Sequence, residues 1–250
     1  MTTMFFAVAS WRRLAVLAAL LYTSGAQASE QGLSQQQVQA SMRPYMQAVR
    51  DCSARQHELD PKVSGKLDLS LTIARSGRVS TVQVLSAGHE RTYVAGCAGG
   101  VLRAIKFPAF TGKPVVVPHL PIALGAGRRE AAPWDDEPAE AAPIKEAPRK
   151  IRAQVLKRLE PAVGSMRACV KDFPAPRAKR RRRRPPKRPG PLTIRFTLNP
   201  LGRTTRVEIL DRHHRADYLG GCVAGVLAMT EFPSLGSDSL TFSRVRLPRL

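Results

Sequence analysis

The stretch from Gly65 to Pro108 recurs as Gly190 to Pro233, offset by 125 residues and without a gap. Gly65 meets Gly190, Gly77 meets Gly202, Val82 meets Val207 and Tyr93 meets Tyr218. Gly96-Cys97 meets Gly221-Cys222, Gly100-Val101-Leu102 meets Gly225-Val226-Leu227, and Phe107-Pro108 meets Phe232-Pro233. Upstream, Pro44 stands eight residues before Cys52 and Pro161 eight before Cys169, with Val49 matching Met166 and Arg50 matching Arg167. The spacing from Cys52 to Gly65 is 13 and from Cys169 to Gly190 it is 21, so the second copy carries an eight-residue insertion. Self-similarity at one fixed offset marks a duplicated unit. Two copies suit a pair of domains joined by a linker; a solenoid needs a longer run, because each unit buries its apolar face only against its neighbours. The expected division is residues 29–125, an Ala/Pro/Glu-rich linker at 126–150, and residues 151–250.

Within each copy the apolar pattern changes period in the same order. Val38, Met42, Tyr45, Met46, Val49 and Cys52 recur at helical spacing, with Pro44 in a first turn and the well-formed helix starting near Ser41. Leu67, Leu69, Leu71 and Ile73 alternate with Lys66, Asp68, Ser70 and Thr72, the mark of a half-buried strand. Arg75-Ser76-Gly77 is a turn, and the chain returns through Val82 and Val84 as a second strand. Val94, Cys97, Val101 and Ile105 share a helical face, and Phe107-Pro108 ends that helix. Gly96, Gly99 and Gly100 on the helix are expected to bring it close to the sheet it covers. Lys113 to Leu124 is a third strand, placed at an edge by Pro114, Pro118 and Pro121, since proline donates nothing to a ladder. The second copy repeats the order: a helix over 151–171, a hairpin around Asn199-Pro200-Leu201-Gly202, a helix over 218–230 and a strand over 240–247. The expected fold class is α+β, two copies of an α-β-β-α-β unit, each a three-stranded antiparallel sheet with helices on one face. Leu69, Leu71, Val82, Val101 and Phe107, with their counterparts, are the expected core.

The N-terminus reads as a secretory signal peptide over residues 1–28. Arg12 and Arg13 precede the apolar run Leu14 to Tyr22, and Ala26-Gln27-Ala28 supplies small residues for cleavage between Ala28 and Ser29. An uncleaved anchor helix is the alternative; the run is too short for a hydrocarbon layer of ~30 Å, so cleavage is expected and no transmembrane span in the mature chain. The expected location is periplasmic or secreted. In that oxidising setting four cysteines allow three connectivities. The duplication selects Cys52–Cys97 and Cys169–Cys222, one bridge per copy, each tying the helix before the hairpin to the helix after it. Buried free thiols and a shared metal site are the alternatives; no C-x-x-C spacing supports the metal.

The strand, then Gly77-Arg78-Val79 with Val82 and Val84, then a helix ending in Phe107-Pro108, resembles the C-terminal domain of TonB energy transducers. The cysteine pair, Cys52 in the first helix and Cys97 in the second, resembles the AgmX/PglI C-terminal domain, a TonB-like relative tied to envelope and gliding machinery. The resemblance covers about two-thirds of the chain, as a tandem duplication. It implies a non-catalytic module that binds peptide strands at a sheet edge, with envelope proteins or peptide segments as partners. The chain departs from TonB transducers in its cleavable signal and its short linker.

The formal charge is +21, of which residues 151–250 carry +15. Arg177, Lys179, Arg180, Arg181, Arg182, Arg183, Arg184, Lys187 and Arg188 crowd into the basic loop 174–190, with Pro185, Pro186 and Pro189 keeping it extended. Like charges at this density repel one another. No aromatic residue interleaves with them, which argues against base stacking, and the expected location outside the cytoplasm argues against nucleic acid as the partner. Outside the cytoplasm the matching partners are anionic lipid head groups, lipopolysaccharide or acidic wall polymers, at ~1 kcal/mol per basic residue near a charged surface. A solvated loop with no partner is the plain alternative. His57, His89, His119, His213 and His214 form no ligand spacing beyond the His213-His214 pair near Asp211 and Asp217, a solvated loop. No phosphate loop, H-E-x-x-H or G-x-S-x-G is present, so no catalytic residue and no cofactor are expected. The expected function is a non-enzymatic envelope-associated binding protein, with polyanion binding through the arginine loop as the alternative.

Overall fold

The computed structural model describes residues 32–125, 145–172, 191–236 and 238–248. The first half opens with helix α1 (Gln35–Met42), a 3-10 turn (Arg43–Tyr45) and helix α2 (Met46–Leu59). Strands β1 (Gly65–Ile73) and β2 (Val79–Val84), helix α3 (Tyr93–Ala104) and strand β3 (Val115–Leu124) follow. The second half runs β4 (Lys145–Glu146), α4 (Arg149–Lys171), β5 (Thr193–Leu198), β6 (Thr204–Ile209), α5 (Tyr218–Ala228) and β7 (Leu240–Arg246). The architecture is α+β, with a three-stranded antiparallel sheet ordered β2-β1-β3 and a four-stranded mixed sheet ordered β4-β7-β5-β6.

Two boundaries differ from the sequence expectation. The first helix begins before Ser41, at Gln35, because Ser34 and Gln37 form a capping box: Gln37 N donates to Ser34 Oγ at 3.2 Å and Ser34 N to Gln37 Oε1 at 2.9 Å. Pro44 then sits in the 3-10 turn that divides α1 from α2, whereas its counterpart Pro161 lies inside the continuous α4.

The second sheet is not the expected three antiparallel strands. Lys145–Glu146, inside the supposed linker, form β4, which pairs parallel to β7, and α4 also begins within that stretch at Arg149. The Glu146 carboxylate accepts from Ser243 N at 3.2 Å and Ser243 Oγ at 2.9 Å, and Ala147 N donates to Thr241 O at 2.9 Å. Arg152 reaches Glu146 and the Ser243 carbonyl, fastening α4 to the same edge. A strand of two residues has no alternation to read, so composition masked it.

On β1 the residues Leu67, Leu69, Leu71 and Ile73 are buried, while Asp68, Ser70 and Thr72 on the other face are half-exposed. Of the ten expected core positions, all are buried except Val207, which is half-buried. The second half fills its core with stacked rings, Phe196 against Phe242 at 4.9 Å and against Phe232 at 5.7 Å.

The recurring glycine and Phe-Pro tokens have a shared physical cause. Gly77 has φ +74°, and a Cβ there would lie 1.9 Å from the Phe107 carbonyl oxygen. Gly77 O in turn accepts from Phe107 N at 2.8 Å. Gly202, at φ +75°, meets Phe232 in the same way, with a hydrogen bond of 3.3 Å. The hairpin turn and the segment after the second helix are in backbone contact, which only glycine permits.

The helix glycines answer to a different neighbour than the sheet. Helices α3 and α5 pack on each other more extensively than any other pair of elements. A Cβ on Gly96 would lie 1.8 Å from Tyr218 O, and one on Gly100 2.4 Å from Cys222 O. Reciprocally, a Cβ on Gly221 would lie 2.0 Å from Tyr93 O, and one on Gly225 2.2 Å from Cys97 O. The two helices run in the same direction, backbone against backbone, each presenting glycines four residues apart to the other. Their N-caps, Thr92 and Asp217, form a β-bridge, and Tyr218 N donates to Arg91 O at 3.0 Å. The halves therefore share one continuous apolar core.

Disulfides close each half. Cys52 in α2 joins Cys97 in α3, with Cα atoms 5.6 Å apart, and Cys169 in α4 joins Cys222 in α5, at 5.8 Å. Beside the first, the buried Gln56 side chain accepts from Val94 N at 3.0 Å, capping the start of α3.

Candidate functional site

Sheet order leaves β2 and β6 as outer strands, each paired on one side only among the described residues. The other outer strands are less open. Pro118 and Pro121 interrupt β3, and β4 is two residues long and covers β7. Ladder geometry tells which groups on β2 and β6 face outward. Leu85 N donates to Asp68 O at 2.8 Å, and Leu210 N to Thr193 O at 2.9 Å. Antiparallel ladders alternate, so the backbone groups of Val82 and Val84, and of Val207 and Ile209, point away from the sheet.

A shallow groove lies beside each of these strands, and each is built from both halves of the chain. The β2 groove is lined by Thr81, Val82, Gln83, Val84, Glu90, Asp172 and Tyr218, with Leu85 at its end. The β6 groove is lined by Arg55, Leu59, Tyr93, Val207, Glu208, Ile209 and Arg215. The two are counterparts position by position: Tyr93 answers Tyr218, Val207 answers Val82, and Arg55 and Asp172 each follow their half's first cysteine by three residues.

The tyrosines at the bases of the grooves differ in their partners. The Tyr218 hydroxyl accepts a hydrogen bond from the Arg103 guanidinium. Arg103 also makes an ion pair with Asp172 and places Nη1 3.7 Å from Cys222 Sγ. The Arg103 side chain is 4% exposed and crosses from the first half to the second. The Tyr93 hydroxyl has no hydrogen-bond partner among the described residues, and the residue is 6% exposed. Burial pushes the Tyr93 phenol up to about 12, with Arg55 pulling it down and Glu58 pushing it up. Burial likewise raises Tyr218, opposed by Arg103.

Both phenols thus ionise more readily in the unfolded chain than in the fold. Their contribution to stability is complete below the ordinary phenol value of 10.0 and is lost as the pH rises through the folded value, about 12 for Tyr93. We expect phenolate absorbance to develop late for these two tyrosines and the urea midpoint to fall over that interval. Midpoints flat across it would contradict the burial of these rings.

His214 neighbours a helix cap: its Nδ1 lies 2.9 Å from Asp217 Oδ2, while Asp217 Oδ1 accepts from Gly220 N at 3.0 Å. His119 Nδ1 meets Asp68 Oδ2 at 2.9 Å. Among the described residues no group of three or more His, Cys, Asp and Glu comes together. No described helix is long and apolar enough to cross a membrane. The basic cluster Arg177, Lys179, Arg180, Arg181, Arg182, Arg183, Arg184, Lys187 and Arg188 lies outside the described residues, as does the signal segment. Sequence reasoning missed the grooves because neither half makes one alone; the detectable signal was the pairing of Tyr93 with Tyr218 at a shared position. The chain matches no protein-family model, no curated protein and no solved structure.

Proposed function

We propose that this is a non-enzymatic, periplasmic or secreted envelope-associated protein, with tandem TonB-like modules of the AgmX/PglI type, that binds extended peptide segments by strand addition. The observation that carries the reading is the outer position of β2 and β6, whose outward backbone groups at Val82, Val84, Val207 and Ile209 border a groove. An added strand gains main-chain hydrogen bonds from the edge, and alternate side chains enter the groove. The duplication supplies two such edges in one chain, which raises the effective concentration of the second for a partner that spans both.

The test uses a short capped peptide of alternating threonine and valine, followed by amide hydrogen exchange. Protection is expected at Val82, Val84, Val207 and Ile209. Val84→Pro and Val207→Pro each remove one outward N–H without touching the inner ladder. Each should abolish protection at its own edge and leave the fold intact. Unchanged exchange at both edges on saturation with peptide would sink strand addition.

The arginine loop favours a second reading, polyanion binding, because nine basic residues fall between positions 177 and 188. Deleting Arg180–Arg184 separates the two. Binding to vesicles of anionic lipid should drop steeply with the deletion if that reading holds, whereas peptide protection at β2 and β6 is indifferent to it.

A further inference from the structure

We infer that the β6 groove selects an extended peptide bearing a carboxylate, received by the Tyr93 hydroxyl and the Arg55 guanidinium with Arg215 at the rim. This rests on the strand-addition reading and adds the chemistry of the ligand. Three charged positions of the β6 groove change character at the equivalent place in the β2 groove. Arg55 corresponds to Asp172, Arg215 to Glu90 and Glu208 to Gln83. Each pair holds the same place in a repeated set of elements; on the β2 side Asp172 serves as the partner of Arg103, a role with no counterpart on the β6 side. Within the β6 groove the one acid is already answered: Glu208 pairs with Arg206 at 2.7 Å and Arg195 at 3.3 Å. Arg55 pairs with Glu58 across one helical turn, an exposed contact that leaves further N–H donors. Arg215 has no carboxylate within ion-pair distance among the described residues.

The tyrosine supplies an independent indication. In the β2 groove Arg103 bridges the Tyr218 hydroxyl and the Asp172 carboxylate, while its Nε stays buried without a partner among the described residues. Gly99 makes room for that arrangement: a Cβ there would lie 3.2 Å from Arg103 Nη1 and 3.6 Å from the Tyr218 hydroxyl. The equivalents of Arg103 and Gly99 are Ala228 and Ala224. The β6 groove therefore lacks the bridging arginine and keeps a methyl group in the space such an arginine needs. What remains is a phenol donor without a protein partner, beside a guanidinium, a combination that a carboxylate oxygen completes. The Tyr93 hydroxyl is not sealed from solvent, so the gain comes from exchanging water for a charged acceptor, whose hydrogen bonds are among the stronger ones.

The experiment uses the full oxidised chain and two capped probes, alternating glutamate-valine and glutamine-valine, with affinity measured by calorimetry at one salt concentration. The glutamate peptide should bind at least about tenfold more tightly. Tyr93→Phe and Arg55→Gln should each weaken it by about tenfold or more, with little effect on the glutamine peptide. Ala224→Gly with Ala228→Arg, which installs the bridge of the other groove, should also weaken it; Tyr93→Phe decides the matter if that pair fails to fold. Equal affinity for both peptides leaves strand addition standing and overturns the carboxylate preference. Tight glutamate binding that persists in Tyr93→Phe and Arg55→Gln belongs to the arginine loop and overturns it as well. Binding of neither peptide removes both proposals together.

Discussion

Gly96→Ala lowers the stability of this protein by about 2 kcal/mol or more, although alanine is the better helix former. The added methyl would sit 1.8 Å from the Tyr218 carbonyl oxygen and 2.6 Å from its carbon. Those are backbone atoms of α5 and cannot swing aside as a side chain can. The helices must separate instead, and the weaker packing along α3 and α5 outweighs a propensity gain of ~1 kcal/mol. Gly164→Ala in α4 is the matched control, since nothing lies within 4 Å of its Cβ position. There the propensity gain stands alone, and the urea midpoint should rise. Gly221→Ala, which meets Tyr93 O at 2.0 Å, should resemble Gly96→Ala. The double variant should cost less than the sum, because one separation relieves both clashes. A midpoint for Gly96→Ala equal to that of the parent would refute this packing of the helix pair.

Removing the two disulfides has the second large effect. Their loops separate the cysteines by 45 and 53 residues. In the chain-entropy account each is worth ~4 kcal/mol of constraint on the unfolded chain. Domains of this size are stable by only ~5–15 kcal/mol, so losing both consumes much of the margin. We expect reductant to lower the urea midpoint sharply and Cys52→Ser with Cys97→Ser to lower it by part of that amount. Unfolding should stay a single transition in the paired variant, because both halves contribute to one core. Two separate transitions would show that the halves unfold independently, and a midpoint indifferent to reductant would show that the bridges are absent in solution.

Much of the fold was legible in the residues because the signals are local. Alternation along Leu67 to Ile73 records one face against the core, and the turn at Gly77 records a positive φ. The cysteine pairing was legible through the repeat, since only one connectivity closes each copy on itself. The capping box at Ser34 was equally local and was overlooked in favour of Pro44. β4 was not legible at all: its two residues gain their strand character from Thr241 and from Ser243, which lies 97 positions from Glu146 in the chain.

By itself the sequence determined the order of the helices and strands other than β4, which residues of each face inward, and which cysteines belong together, because period and turn chemistry are written in neighbouring residues and the pairing in the likeness of one half to the other. Only the tertiary structure decided what the glycines of α3 and α5 are for, and hence that the two halves lie against one another. Small residues license close approach without naming the neighbour. The grooves at β2 and β6 follow from that packing, since the strand comes from one half and the tyrosine at its base from the other.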